Sequence, residues 1–221
     1  MCGRFTITLE AADLQLELGV SEVPADWLPR FNVAPTQPVG AVLDASARRV
    51  EWLRWGLIPS WAKDASIASK LINARSETLA EKPSFRQAFT KRRCLILADG
   101  FYEWQKSAKG SSQPFYFQRI DKKPFAFAGL WEFWKSPEGE PVRSCTIITC
   151  AANPLVAPVH ERMPVMLSGE AAWQWLEPAS PEALAGFLRP YPPELMTVRP
   201  VSRLVNDATR DSPDLVRPLA Q

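Results

Sequence analysis

The sequence predicts an α+β fold: a single compact domain with a mostly antiparallel, β-rich core and short peripheral helices. Three observations carry this. Between Cys94 and Thr149, five apolar, aromatic and β-branched runs are separated by turn signals at Asp99-Gly100, Lys109-Gly110 and Pro137-Glu138-Gly139, as in successive hairpins. The chain holds 21 prolines, which interrupt long helices and favour short strands and structured loops. At 221 residues it is long enough for one sizeable core and short for two, so residues 1–221 are read as one domain.

Taken in order, an N-terminal strand precedes a short helix over Leu9–Leu18, with Thr8 as N-cap and Gly19 as stop. Trp27–Pro38 reads as a proline-punctuated loop, followed by strands Val39–Leu43 and Val50–Leu57. Loops dominate through Leu71–Glu77. A helix over Ser84–Lys91 ends in Lys91-Arg92-Arg93, cations that suit its C-terminal dipole. The central strands are Cys94–Ala98, Phe101–Lys106, Phe115–Ile120, Phe125–Trp134 and Ser144–Thr149. Pro158–Pro164 is loop-like. Helices follow at Gly169–Leu176 and at Pro181–Leu188, the latter with Ser180 as N-cap and Pro181 at its first position. One further strand is read from Val198 to Val205 and onward, with a Pro-bearing tail.

Composition narrows the function classes. With 46% hydrophobic and 23% charged residues, the chain has the make-up of a soluble globular protein. No apolar run approaches the ~20 residues that span a bilayer, and the N-terminus lacks the basic and hydrophobic regions of a signal peptide, so a cytoplasmic monomer is expected. Four cysteines without a C-x-x-C pair, beside one histidine, argue against a zinc site, and no metal or cofactor is expected. Cys94, Cys145 and Cys150 lie in apolar strand-like runs and read as buried thiols. A net charge of +2 argues against a long footprint on duplex DNA, but a few clustered arginines suffice for a few phosphates.

Chemistry concentrates in a few stretches. Loss of Met1 would leave Cys2 with an α-amine beside its thiol, a 1,2-aminothiol that condenses with an aldehyde to an imine and closes to a thiazolidine. The same terminus would also serve as an amide-attacking nucleophile with its own amine as base. An ordinary small apolar residue at the start of a strand is the bland alternative. Gly3 permits close approach, and Arg4 places a cation beside the nucleophile, favouring thiolate and attracting anions. His160, the only histidine, is the one unperturbed side chain able to shuttle protons near neutral pH, although a lone histidine is more often structural. Glu103 sits among Phe101, Tyr102 and Trp104, where desolvation would raise its pKa; a solvent-facing strand position is the alternative. Asn73 and Arg75 share one side of an extended segment and offer an amide to orient a nucleophile and a guanidinium for phosphate. Arg162 shares the side of His160, and Trp61 is a candidate exposed stacking platform.

Seven stretches together resemble the SOS response-associated peptidase (SRAP) family, also called abasic-site processing proteins. They are Met1-Cys-Gly-Arg-Phe5, Arg30-Phe-Asn-Val-Ala-Pro35, Trp55-Gly-Leu-Ile-Pro-Ser-Trp61, Ile72-Asn-Ala-Arg-Ser-Glu77, Ala98-Asp-Gly-Phe-Tyr-Glu-Trp104, Thr149-Cys-Ala-Ala-Asn153 and His160-Glu-Arg-Met-Pro164. They run in order from residue 2 to about Asn206. The resemblance implies an autopeptidase that removes Met1, binds single-stranded DNA and crosslinks covalently to an abasic site through a thiazolidine, in the cytoplasm and on the nucleoid when bound to DNA. It also implies Cys2 as nucleophile, Asn73 as its orienter, Glu103 and His160 as the acid/base pair, and Arg4, Asn32, Pro35, Trp61, Arg75, Thr149 and Arg162 along the DNA path. Ala62 stands where some members carry a second Trp beside Trp61. An N-terminal-nucleophile amidohydrolase or cysteine peptidase, testable by ammonia release from glutamine, and a non-covalent reader of modified bases are the competing readings.

Overall fold

The structure, a computed structural model, describes residues 2–106 and 110–219. In chain order it contains β1 (Phe5–Ile7), α1 (Ala11–Leu18), β2 (Arg30–Val33), β3 (Pro38–Val42), β4 (Val50–Trp55), β5 (Asn73–Arg75), α2 (Arg86–Lys91), β6 (Arg93–Ala98), β7 (Gly100–Gln105) and β8 (Gln113–Arg119). These are followed by β9 (Phe125–Lys135), β10 (Pro141–Ala151), β11 (Arg162–Pro164), β12 (Met166–Leu167), α3 (Glu170–Gln174), α4 (Pro181–Ala185) and β13 (Met196–Pro200). Strands β10, β4, β3, β6 and β9 pair in that order, and β9 pairs again with β10, closing a small barrel. A second sheet, β13-β8-β7-β1-β2, packs on it. Among the strands of the described residues, β10 breaks the antiparallel rule, running parallel to β4 and to β5.

The interface between the layers is aromatic. Phe5 on β1 meets Trp55 and Phe127 edge-on at 5.2 and 5.4 Å, and Phe101 on β7 stacks on Phe117 at 5.0 Å. This fixes the one strand that leads directly from Cys2. A buried polar network holds its far side: Asp99 accepts from Thr6 Oγ1 at 2.5 Å, from Thr8 N at 2.7 Å and from the Thr8 hydroxyl, and Thr6 Oγ1 meets the Tyr116 hydroxyl at 2.8 Å. Asp99→Ala leaves these buried donors unpaired and is expected to cost about 2–3 kcal/mol, read as a lower urea midpoint.

Several expectations change. Thr8 does not cap α1: its hydroxyl is spent on Asp99, and Glu10 takes the N-cap position without a side-chain bond. The stop at Gly19 holds, at φ 69°. The stretch read as a loop over Trp27–Pro38 contains β2, because Phe5 and Ile7 of β1 pair with Val33 and Arg30. The loop-like Pro158–Pro164 contains β11, which pairs with the end of β10. Arg93 is not a helix-end cation but the buried first residue of β6, yet its guanidinium does satisfy the Phe89 and Thr90 carbonyls at the end of α2. The last strand begins at Met196 and ends at Pro200. Half of the Lys109-Gly110 turn lies outside the described residues, as does Met1. All four cysteines are free and buried.

Candidate active site

Antiparallel pairing of β1 with β7, Phe5 opposite Phe101, carries Cys2 and Gly3 back along the strand that bears Glu103. The Tyr102 amide donates to the Arg4 carbonyl at 3.0 Å. Cys2 is wholly buried, and Asn73 Nδ2 donates to its carbonyl at 2.8 Å. Asn73 is delivered by β5, which lies parallel to β10 with Asn73 opposite Ile147 and Arg75 opposite Thr149. Its Oδ1 is buried and has no partner, so one face of the amide is uncommitted.

Glu103 is 2% exposed. Burial pushes its carboxyl up from 4.5 to about 7, which poises it to give or take a proton at neutral pH. Burial also drives the Cys2 thiol far above its ordinary range, and the charge of Glu103 adds to the rise. Here the expectation from Arg4 fails. Its guanidinium is turned away, donating to Asn32 Oδ1 at 2.7 Å and to the Val205 carbonyl at 2.6 Å, and lies 5.9 Å from the Trp104 ring centre. The thiol therefore stays protonated at neutral pH.

His160 follows a tight turn set by Asn153, whose Oδ1 accepts from the Leu155 and Val156 amides and whose Nδ2 holds the Tyr191 carbonyl. The Arg162 amide donates to His160 Nδ1 at 3.0 Å. A neutral imidazole with Nδ1 accepting carries its proton on Nε2. Burial lowers its pKa, so this neutral donor form dominates at pH 7. His160 lines a cavity of about 410 Å³ together with Trp104, Gln105, Lys106, Pro158, Val159 and Glu161. Trp104, the residue after Glu103, thus brings β7 to the edge of this cavity.

The other predicted residues divide by exposure. Arg75 and Trp61 face solvent, Trp61 at 59%. The Trp61 loop is anchored by Trp134 Nε1 on the Ala62 carbonyl at 2.7 Å and by Ser144 Oγ on the Ile58 amide at 2.8 Å. Pro35, Arg4 and Arg162 are half-buried. Asn32 and Thr149 are fully buried and reach outward only through the arginines they hold: Asn32 grips Arg4 and the carbonyls of Asp207 and Arg210, and the Thr149 carbonyl accepts from Arg162 at 2.6 Å. Buried Nε atoms of Arg4 and Arg162 lack partners. Glu77, Asn153 and Asn206 were missed as contributors. Of these only Asn153 carried a local signal, an Asn-Pro turn; the others act through partners 85 and 102 residues away. A larger cavity of about 630 Å³, beside α3 and α4, touches none of the predicted residues.

Among the described residues no group of three or more His, Cys, Asp or Glu side chains could hold a metal ion, and no helix is long and apolar enough to cross a membrane.

The profile of a family described as "SOS response associated peptidase (SRAP)" matches residues 1–208. The chain is 43% identical over 221 residues to the abasic site processing protein YoqW of Bacillus subtilis, covering 98% of this chain and 99% of that one. It is 34% identical over 265 residues to the abasic site processing protein HMCES of Gallus gallus, covering 99% and 78%. A crystal structure of a protein from Bacteroides thetaiotaomicron superposes with a TM-score of 0.88 at 25% identity, covering 99% of this chain and all of that one.

Proposed function

Since the chain belongs to the SRAP family, we propose that it is an abasic-site processing protein that captures the ring-opened sugar of an abasic site in single-stranded DNA as a thiazolidine on Cys2. The observation that carries this reading is the joining, at one buried point, of Cys2, the Asn73 amide and a carboxyl poised near pH 7. Removal of Met1 exposes the Cys2 amine. A protonated thiol makes that amine the first nucleophile. It adds to the C1′ aldehyde; Glu103 in its acid form protonates the carbinolamine oxygen, water leaves, and a protonated imine (iminium) remains. The Glu103 carboxylate then takes the thiol proton as sulfur adds to the imine carbon. One water is lost and Glu103 is restored. His160, as an Nε2–H donor, assists opening of the sugar ring. Asn73 orients Cys2 through its carbonyl. Arg4 and Arg162, half-buried, together with exposed Arg75, suit the flanking phosphates, and Trp61 and Pro35 suit base stacking. Asn32 and Thr149 position the first two arginines.

Intact mass before and after incubation with a single-stranded oligonucleotide bearing one abasic site tests this. The expected result is a chain lighter by Met1 that gains the oligonucleotide mass and keeps it through heat and detergent. Loss of Met1 without DNA mass would favour the amidohydrolase.

A further inference from the structure

We propose that Glu77 and Arg162 form a latch across the end of β10 that fixes the Asn73 arm of the site against the His160 arm, making Glu77 a positioning residue. The two arms come from different places. β5 lies along one edge of β10 and β11 along the other, and Thr149 of β10 pairs with Arg75 on one side and Pro164 on the other. Glu77 belongs to the short turn Ser76–Thr78 directly after β5, and Arg162 opens β11. The Glu77 carboxylate accepts from Arg162 Nη1 at 2.7 Å and Nη2 at 3.0 Å, passing over Thr149, whose carbonyl also takes Nη2.

Each arm carries one reactive element. On the first, Asn73 grips the Cys2 carbonyl; on the second, the Arg162 amide grips His160 Nδ1. β5 and β11 are three residues each, too short to fix their own position firmly. The pair is stronger than an ordinary surface ion pair. It is bidentate, and although the Glu77 side chain is 53% exposed, that of Arg162 is only 12% exposed. The same bonds hold the Glu77 carboxyl below its usual range, so the latch stays charged throughout the working pH.

The latch deepens the proposed function, on which its kinetic arm rests; a second arm stands apart. Glu77→Ala is expected to lower the crosslinking rate constant at saturating abasic oligonucleotide about tenfold, because the reacting groups lose their alignment. In an Arg162→Ala background the same change should cost nothing more, and Glu77→Asp should fall between. The second arm uses the single histidine. Without any DNA, Glu77→Ala should shift the imidazole resonances of His160, because the Arg162 backbone that holds Nδ1 loses its anchor. An unmoved His160 signal, or additive losses in the double variant, overturns the latch. If the wild type forms no crosslink but Glu77→Ala moves the histidine, the latch stands and the proposed function falls. Should Glu77→Ala fail to fold, Glu77→Gln, which keeps the shape without the charge, gives the same readings.

Discussion

Cys2→Ala is expected to lose the heat-stable DNA adduct, with a fall in yield of at least about 100-fold. The two bonds of a thiazolidine separate cleanly in this variant. The α-amine survives and still condenses with the aldehyde, but with no sulfur to close the ring the imine hydrolyses. Borohydride should therefore trap the Ala variant on abasic DNA, whereas the wild type needs no reductant to survive heating. Because burial keeps the thiol protonated, the wild type should also react with thiol alkylators far more slowly than a free cysteine does. A Cys2→Ala protein that still gave a heat-stable adduct without reductant would remove Cys2 from the chemistry.

Glu103→Gln is expected to slow capture about 100-fold while leaving non-covalent binding of the oligonucleotide intact. The pH profile supplies the second reading. As an acid with a value of about 7, Glu103 loses its proton as pH rises, so the wild-type rate limited by water loss should decline above neutrality, and the Gln variant should lack that limb. Stability also falls with rising pH, but over a lower range. The folded-state value lies above the unfolded one, so the native state binds the proton more tightly and stability falls as pH rises from 4.5 to 7. The gap corresponds to about 3 kcal/mol at pH 8, which the Gln variant should recover, with no gain at pH 4. Melting curves at the two pH values check this. Unchanged crosslinking kinetics would count against the role of Glu103.

What the sequence disclosed was what is written locally. The strands of the barrel follow from apolar alternation and turn residues, and Gly19 ends its helix because a left-handed residue is needed there. The pKa of Glu103 was legible from its aromatic neighbours. The errors came from distant partners. Thr8 looks like a cap until Asp99, 91 residues on, takes its hydroxyl. β2 is hidden by the flanking Pro29 and Pro35, and its pairing comes from β1. Arg4 was expected to activate the thiol because it lies two residues from it, but Asn32 and the Val205 carbonyl, 28 and 201 residues downstream, draw its guanidinium away. Glu77 resembles any surface carboxylate until Arg162 is seen across β10.

The hold on Arg4 also ties the front of the site to a distant part of the chain. Its guanidinium rests on the Val205 carbonyl, 201 residues downstream, and Asn206 Oδ1 accepts from Trp104 Nε1 at 2.7 Å. A chain cut before Val205 is therefore expected to leave Arg4 and Trp104 without these partners, so residues far from Cys2 in sequence hold two side chains that flank the candidate site.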